Sequence, residues 1–265
     1  MSMADIRVTV NGVLGKMGQA VLHATAASQG ILPVNGADIA ATGKSVSIPD
    51  SADVIPIHSD INKAVVDSDV VIDFTNADGA KAVMNAAAPN GVHCVIGSTG
   101  LSDDDFKMAD QLSQAHNVSI IIAPNFAMGA VIMTHLVKEA GRFFDFADLT
   151  EVHHEAKIDS PSGTAIAIAK AARAGKESDY KAPQAEKELI ENTRGGVKGG
   201  VVIHSGRMPG RVAHHEMVFA SLGQTLTIRH DSINRESFMP GVIMATKASM
   251  SMSGLTVGLD KVMGL

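Results

Sequence analysis

The densest run of side chains able to do chemistry lies at Glu151-Val-His153-His154-Glu155-Ala156-Lys157-Ile158-Asp159-Ser160-Pro161-Ser162-Gly163-Thr164-Ala165. Two histidines follow a short strand expected over 149–152, a lysine comes next, and Ser-Pro-Ser-Gly-Thr opens a helix expected over 162–174. Imidazole is the side chain best suited to give or take a proton near neutral pH. Ser160 reads as a helix N-cap with Pro161 at the first helical position. The amides of Ser162, Gly163 and Thr164 are then left without intrahelical partners, and a lysine facing them makes a site for a carboxylate. In a regular strand His153 and His154 point to opposite faces, so either the strand ends there or only one reaches a reaction centre. A zinc site is not expected. Ile158 stands where the second histidine of H-E-x-x-H would be, and His214-His215-Glu216 fits no zinc spacing.

A second constellation follows the first expected strand, at Gly12-Val-Leu-Gly15-Lys16-Met17-Gly18. Strand, glycine turn and helix in that order form a phosphate cradle, because glycine lets the backbone approach a pyrophosphate and the helix start offers free N–H groups. The spacing is G-x-x-G-x-x-G, and a plain tight turn accounts for it equally well in isolation. Asp38 lies 20 residues past Gly18, where a carboxylate would accept from adenosine ribose hydroxyls. The residues after it, Ile39, Ala40 and Ala41, cannot pair with a 2′-phosphate, and Lys16 or Lys44 could do so only loosely. NADH is therefore expected to serve at least as well as NADPH. Phe74-Thr75 and Gly97-Ser98-Thr99-Gly100 end two further strands on the same sheet edge, where small and hydroxylic residues suit a ribose and a carboxamide.

The elements that must position these residues alternate. Strands are expected at 6–10, 32–37, 69–74, 92–96 and 118–122, and helices at 17–27, 77–88 and 103–116. Continuous hydrophobicity in the strands points to a parallel sheet covered on both faces. After Asn125 the pattern changes to a long helix at 128–144, the 149–152 strand and the 162–174 helix. A polar, mobile loop over 175–199, strands at 201–203, 213–220 and 225–230, and a last helix at 237–250 follow. The fold class is thus α/β, a Rossmann-type nucleotide domain (1–126 plus 238–265) with a second α+β domain (127–237).

Composition narrows the partners. The 265 residues carry 22 Lys and Arg against 28 Asp and Glu, a net charge of −6, with no Trp and one Tyr. That balance disfavours nucleic acid, both as a polyanion and as a ladder of stacking bases. No apolar stretch approaches the roughly 18 residues of a membrane helix, and residues 1–10 lack a signal-peptide core, so a cytoplasmic protein is expected. The single cysteine, Cys94, sits in an apolar run and reads as a buried small residue.

Taken together, the segments VNGVLGKMG (10–18), VIDFT (71–75), GSTG (97–100), APNFAMG (123–129), EVHHEAKIDSPSGTA (151–165), IHSGRMPG (203–210) and RHDSINRESFMPGV (229–242) resemble the dihydrodipicolinate reductase family over essentially the whole chain. The resemblance implies a two-domain subunit. The first part plus the C-terminal helix would bind the nucleotide, and the middle part would bind substrate and build a homotetramer through its sheet. It also implies hydride transfer from NADH or NADPH to a cyclic imino dicarboxylate in lysine and diaminopimelate biosynthesis. On matching positions, His153 resembles the general acid and Lys157 its catalytic partner. His154, Lys157, Gly163, Thr164 and Thr99 resemble substrate ligands. Gly12, Gly15, Lys16, Met17, Gly18, Asp38, Phe74, Thr75, Gly97, Thr99, Ala123 and Phe126 resemble the cofactor site. The chain departs from the family pattern at Ala156, often a histidine in members, and at Asn76, a basic residue in some. Domain closure about 125–130 and 235–240 is expected. The residues by themselves leave open an amino-acid dehydrogenase acting on an open-chain substrate, or a nucleotide sensor that kept the fold.

Overall fold

The computed structural model describes residues 5–176 and 178–265. Residues 1–4, part of the segment read for a signal peptide, and Glu177, within the expected 175–199 loop, lie outside the described residues.

The chain divides into two units, one comprising the residues up to Phe126 together with Phe238–Leu265, the other Ala127–Ser237. In the first unit the order is β1 (Ile6–Asn11), α1 (Lys16–Ala26), β2 (Ile31–Ala37), β3 (Ser45–Ser47), β4 (Val54–His58), α2 (Ile61–Ala64), β5 (Val70–Asp73), α3 (Ala77–Ala87), β6 (His93–Ile96), α4 (Asp103–His116) and β7 (Ser119–Ile122). The second unit holds α5 (Met128–Gly141), β8 (Phe146–His153), α6 (Gly163–Ala174), β9 (Gly196–Lys198), β10 (Val201–Arg207), β11 (Ala213–Ser221) and β12 (Gln224–Ser232). The chain then returns to the first unit with α7 (Met239–Ser249), β13 (Gly254–Val257) and α8 (Leu259–Met263).

The first sheet runs β13-β7-β6-β5-β1-β2-β4-β3 and is parallel except where β3 meets β4. Its interior strands β5 and β7 are buried at every position, as a sheet covered on both faces requires. The strand pattern missed β3, β4 and β13, together with α2 and α8. These are short pieces, some at the sheet edges, where the apolar signal is too brief to separate from a loop. Helix α4 shows the opposite case. Ser102 and Asp105 cap it reciprocally, three aspartates occupy its first turn, and Asn117 ends it in the left-handed region, so its expected bounds hold to the residue.

The second sheet runs β12-β11-β8-β10-β9, with only β8 and β10 parallel. Strand β8 alternates strictly, with Ala147, Leu149, Glu151 and His153 on the covered face. Leu149, Met217, Phe219, Val201 and Ile203 form one core there with Ile168 and Ala169 of α6 and Met133 and Val137 of α5. Strand β8 is longer than expected, eight residues ending at His153, because four of its positions face away from the core and dilute the apolar signal. The 175–199 segment is partly anchored: Tyr180 is buried and donates to the Ala172 carbonyl at 2.9 Å. Among the described residues no helix is long and apolar enough to cross a membrane.

Candidate active site

Strand β1 ends in the glycine turn, and geometry there demands glycine twice. Gly12 sits at φ +73°, and a Cβ on it would come within 2.6 Å of Thr75 Cγ2. A Cβ on Gly18 would lie 2.0 Å from the Gly12 carbonyl oxygen, so α1 can approach the turn only without a side chain at that position. Gly15 is the N-cap of α1 with no side chain to fill the role, which leaves the amides of Lys16, Met17 and Gly18 for a ligand. The Asp38 carboxylate accepts from the amides of Leu14 at 3.1 Å and Ala40 at 2.9 Å, so it is fixed beside this turn. These residues fit a dinucleotide. A pyrophosphate would meet free amides and close backbone, and Asp38 keeps lone pairs for ribose hydroxyls.

Three neighbouring strand ends meet at Asp73, which the sequence reading left without a role. Its side chain is inaccessible and accepts from Asn11 Nδ2 at 2.7 Å, Thr75 Oγ1 at 2.7 Å and Ser98 Oγ at 2.5 Å. Burial pushes this carboxyl above its ordinary range, against the pull of Ser98, Thr75 and Asn11. One group thus pins the Thr75 and Gly97–Gly100 turns. Phe74 packs on Phe126 at 5.4 Å between ring centroids, and a Cβ on Gly97 would strike the Phe74 ring at 2.2 Å. The side chains of Ala123 and Phe126 are buried, so only their backbone is left to meet a cofactor; Thr75 and Thr99 are exposed. Asn76 caps α3 through Gly79 N at 2.9 Å, which accounts locally for an asparagine at that position.

In the second unit the reactive groups gather at one end of the covered sheet face. The register sets Ser205 and His215 beside Glu151, and Arg207 and Ala213 beside His153. Strand β8 ends at His153, which is buried, while His154 lies beyond the strand and is exposed. His153 Nδ1 is hydrogen-bonded to Glu151 Oε2. Glu151, wholly buried, also accepts from Arg207 Nη1 at 3.1 Å, Arg207 Nη2 at 2.9 Å and the Ser162 amide at 3.3 Å. Burial works against the Glu151 charge, but Arg207, Ser205 and His153 outweigh it, and the carboxyl lies below its ordinary range. Burial lowers the His153 pKa, and the nearby Lys157 and Arg207 charges add to that, against Glu151. His215, edge-on to the His153 ring at 5.3 Å, is pushed by burial down to about 4 and stays neutral. Atoms of Glu151, His153 and His215 lie within 4.8 Å of one another, a spacing a cation could use. The bidentate Arg207 guanidinium, however, already occupies the carboxylate and would repel a cation.

The cap of α6 corrects the sequence reading. Ser162, not Ser160, is the N-cap, its Oγ accepting from the Ala165 amide at 3.1 Å, and the Ser160–Pro161 bond is cis. The Ser162 amide is therefore turned to Glu151, and the open amides are those of Gly163 and Thr164. Gly163 itself is exposed, and nothing lies within 4 Å of a Cβ built on it. Lys157 Nζ donates to Asp159 Oδ1 at 2.6 Å. Glu151, Arg207 and His215 were missed as site residues. Glu151 could have been found, since i and i+2 of a strand share a face. Arg207 and His215 come from other strands, and no local pattern gives their register.

Two family models match, "Dihydrodipicolinate reductase, N-terminus" over residues 6–126 and "Dihydrodipicolinate reductase, C-terminus" over 129–263. The chain belongs to the dihydrodipicolinate reductase family. Among its relatives are the 4-hydroxy-tetrahydrodipicolinate reductases of Dehalococcoides mccartyi strain 195, 41% identical with 99% of this chain and 100% of that protein covered, and of Bacillus pumilus, 38% identical with 99% of each covered. The dipicolinate-bound dihydrodipicolinate reductase of Paenisporosarcina sp. TG-14 superimposes with a TM-score of 0.87 at 33% identity, covering 97% of this chain and 99% of that one. An amine dehydrogenase of Mycobacterium smegmatis, at 14% identity and a TM-score of 0.67, shares the fold alone.

Proposed function

We infer that this chain reduces dihydrodipicolinate, formed from its 4-hydroxy precursor, to tetrahydrodipicolinate with a nicotinamide cofactor, in lysine and diaminopimelate biosynthesis. The observation that carries the reading is the pairing, at one strand end, of a Glu151-bound histidine with an open helix start at Gly163 and Thr164. A planar dicarboxylate suits that pairing, and the Paenisporosarcina relative binds dipicolinate.

A bound nicotinamide cofactor would supply the hydride. Gly12, Gly15, Lys16, Met17 and Gly18 would hold its pyrophosphate, Asp38 its adenosine ribose, and Phe74, Thr75, Gly97, Thr99 and the backbone of Ala123 and Phe126 its nicotinamide end. Lys157, His154, Thr99 and the amides of Gly163 and Thr164 hold the substrate carboxylates and ring. His153, or a water it orients, delivers the proton to ring carbon 3. Positioning and charge neutralisation provide most of the acceleration. The face of the second sheet that carries Asp148, Thr150 and Val152, opposite the helices, is the surface for a homotetramer, and the enzyme works in the cytoplasm.

Enzymatically generated dihydrodipicolinate mixed with NADH should give a loss of nicotinamide absorbance that pyridine-2,6-dicarboxylate inhibits competitively. No absorbance loss, or turnover of an open-chain amino acid instead, overturns the reading.

Asp38 also sets a cofactor prediction. Its carboxylate would face a 2′-phosphate with no cation following it, since Ile39 is exposed and Ala40 and Ala41 carry no charge. NADH should therefore be used at least as well as NADPH, and Asp38→Ala combined with Ile39→Arg should move the ratio of kcat/KM toward NADPH by about tenfold or more. A wild-type enzyme with a strong NADPH preference would defeat this argument.

A further inference from the structure

The Glu151 carboxylate is linked to several parts of the site at once. It accepts from the proton donor His153, from both terminal nitrogens of Arg207, and from the amide of Ser162, the cap of the helix that offers its start to the substrate. Arg207 is locked in turn, donating also to the carbonyls of Asp159 at 2.7 Å and Gly206 at 2.6 Å. Asp159 is the partner of Lys157. One buried carboxylate therefore connects the histidine, the lysine loop and the helix start.

An ionised carboxylate only accepts hydrogen bonds, so the His153 nitrogen facing it must carry a proton. Nε2 is then the atom free to act on a ligand. A buried carboxylate without cationic partners would itself become protonated, and the bidentate guanidinium prevents that. We propose that Glu151 is the positioning residue of the proton donor: it fixes His153 as the Nδ1–H form with Nε2 free, holds the same helix start that receives the substrate, and is kept ionised by Arg207. The proposal rests on the reading of His153 as general acid. It parallels the way an aspartate orients the histidine of a catalytic triad, where loss of the carboxylate charge leaves the wrong tautomer.

The groups facing His153 are Glu151 on its own strand, Arg207 on β10, His215 on β11 and Lys157 on the loop after β8. Of these, only Glu151 stabilises the imidazolium. Glu151→Gln removes that support, so His153 should lose its proton at lower pH. The alkaline limb of the kcat–pH profile should move down by about one pH unit. At pH 8, on that limb, kcat should fall about tenfold, with KM for NADH unchanged. A brace that only held the strands together would lower stability or kcat without moving the limb.

The deciding measurement is made on the unaltered protein. With 15N-histidine label, the His153 ring signals, assigned by their loss in His153→Gln, should show the neutral Nδ1–H form above the titration. An Nε2–H form, or Glu151→Gln with wild-type kcat and an unmoved limb, overturns the proposal. The ring signals need no turnover, so they decide the proposal even if Glu151→Gln fails to fold. They decide it also if the protein proves not to reduce dihydrodipicolinate, a result that would overturn the functional reading alone.

Discussion

His153→Ala is expected to lower kcat about 10²–10⁴-fold, the usual worth of a positioned general acid, with KM for NADH changed by less than about twofold. The expectation follows from where the ring sits. His153 ends β8 on the covered face, its Nδ1 is committed to Glu151, and burial holds its pKa below the ordinary histidine value. In the free protein at neutral pH the ring is then mostly uncharged. A dicarboxylate arriving beside it favours the imidazolium, so the bound pKa lies above the free one and binding takes up a proton. The sign is fixed by that order. Affinity for pyridine-2,6-dicarboxylate should be greatest below the depressed free pKa and fall as pH rises through the bound pKa. Calorimetric titrations in buffers of different ionisation heat should detect the uptake near neutral pH in the wild type and its absence in His153→Ala. A wild type that takes up no proton, or an alanine variant with unchanged kcat, removes His153 from the role.

How much of this was legible beforehand depended on whether the signal was local. The glycine turn, Asp38 and the capped helix α4 are written in spacings a few residues long, and each stands where its spacing puts it. The start of α6 was misread by two residues because two serines flank Pro161 and either could cap. The choice was made by Ser162 Oγ reaching the Ala165 amide. The cluster behind His153 was only half visible. Glu151 shares its strand face by alternation, but Arg207 and His215 reach it through the pairing of β8 with β10 and β11. A one-residue slip in either pairing would turn those side chains to the other face, and nothing in the separate segments fixes the register. Asp73 was hidden for the same reason, since its partners Asn11 and Ser98 come from neighbouring strand ends.

Lys157→Met should cost kcat/KM for the dicarboxylate about 10²–10³-fold, through both terms, with little change in melting temperature. The lysine is paired with Asp159 at 2.6 Å, an aspartate whose carboxyl is held below its ordinary range chiefly by that bond. The pair lies in a loop with Asp159 half exposed, and such pairs are worth at most about 1 kcal/mol to the fold. A substrate carboxylate can therefore take the place of Asp159 at small cost. The Lys157 charge already reaches His153, where it opposes protonation until the substrate anion balances it. The two halves of the ion pair should thus behave in opposite ways. Lys157→Met loses the counter-charge and slows the reaction. Asp159→Asn frees the lysine and should leave kcat intact, with KM for the substrate equal or lower. If both variants lost activity to the same degree, the pair would be a brace for the loop, and Lys157 would have no direct part in binding or turnover.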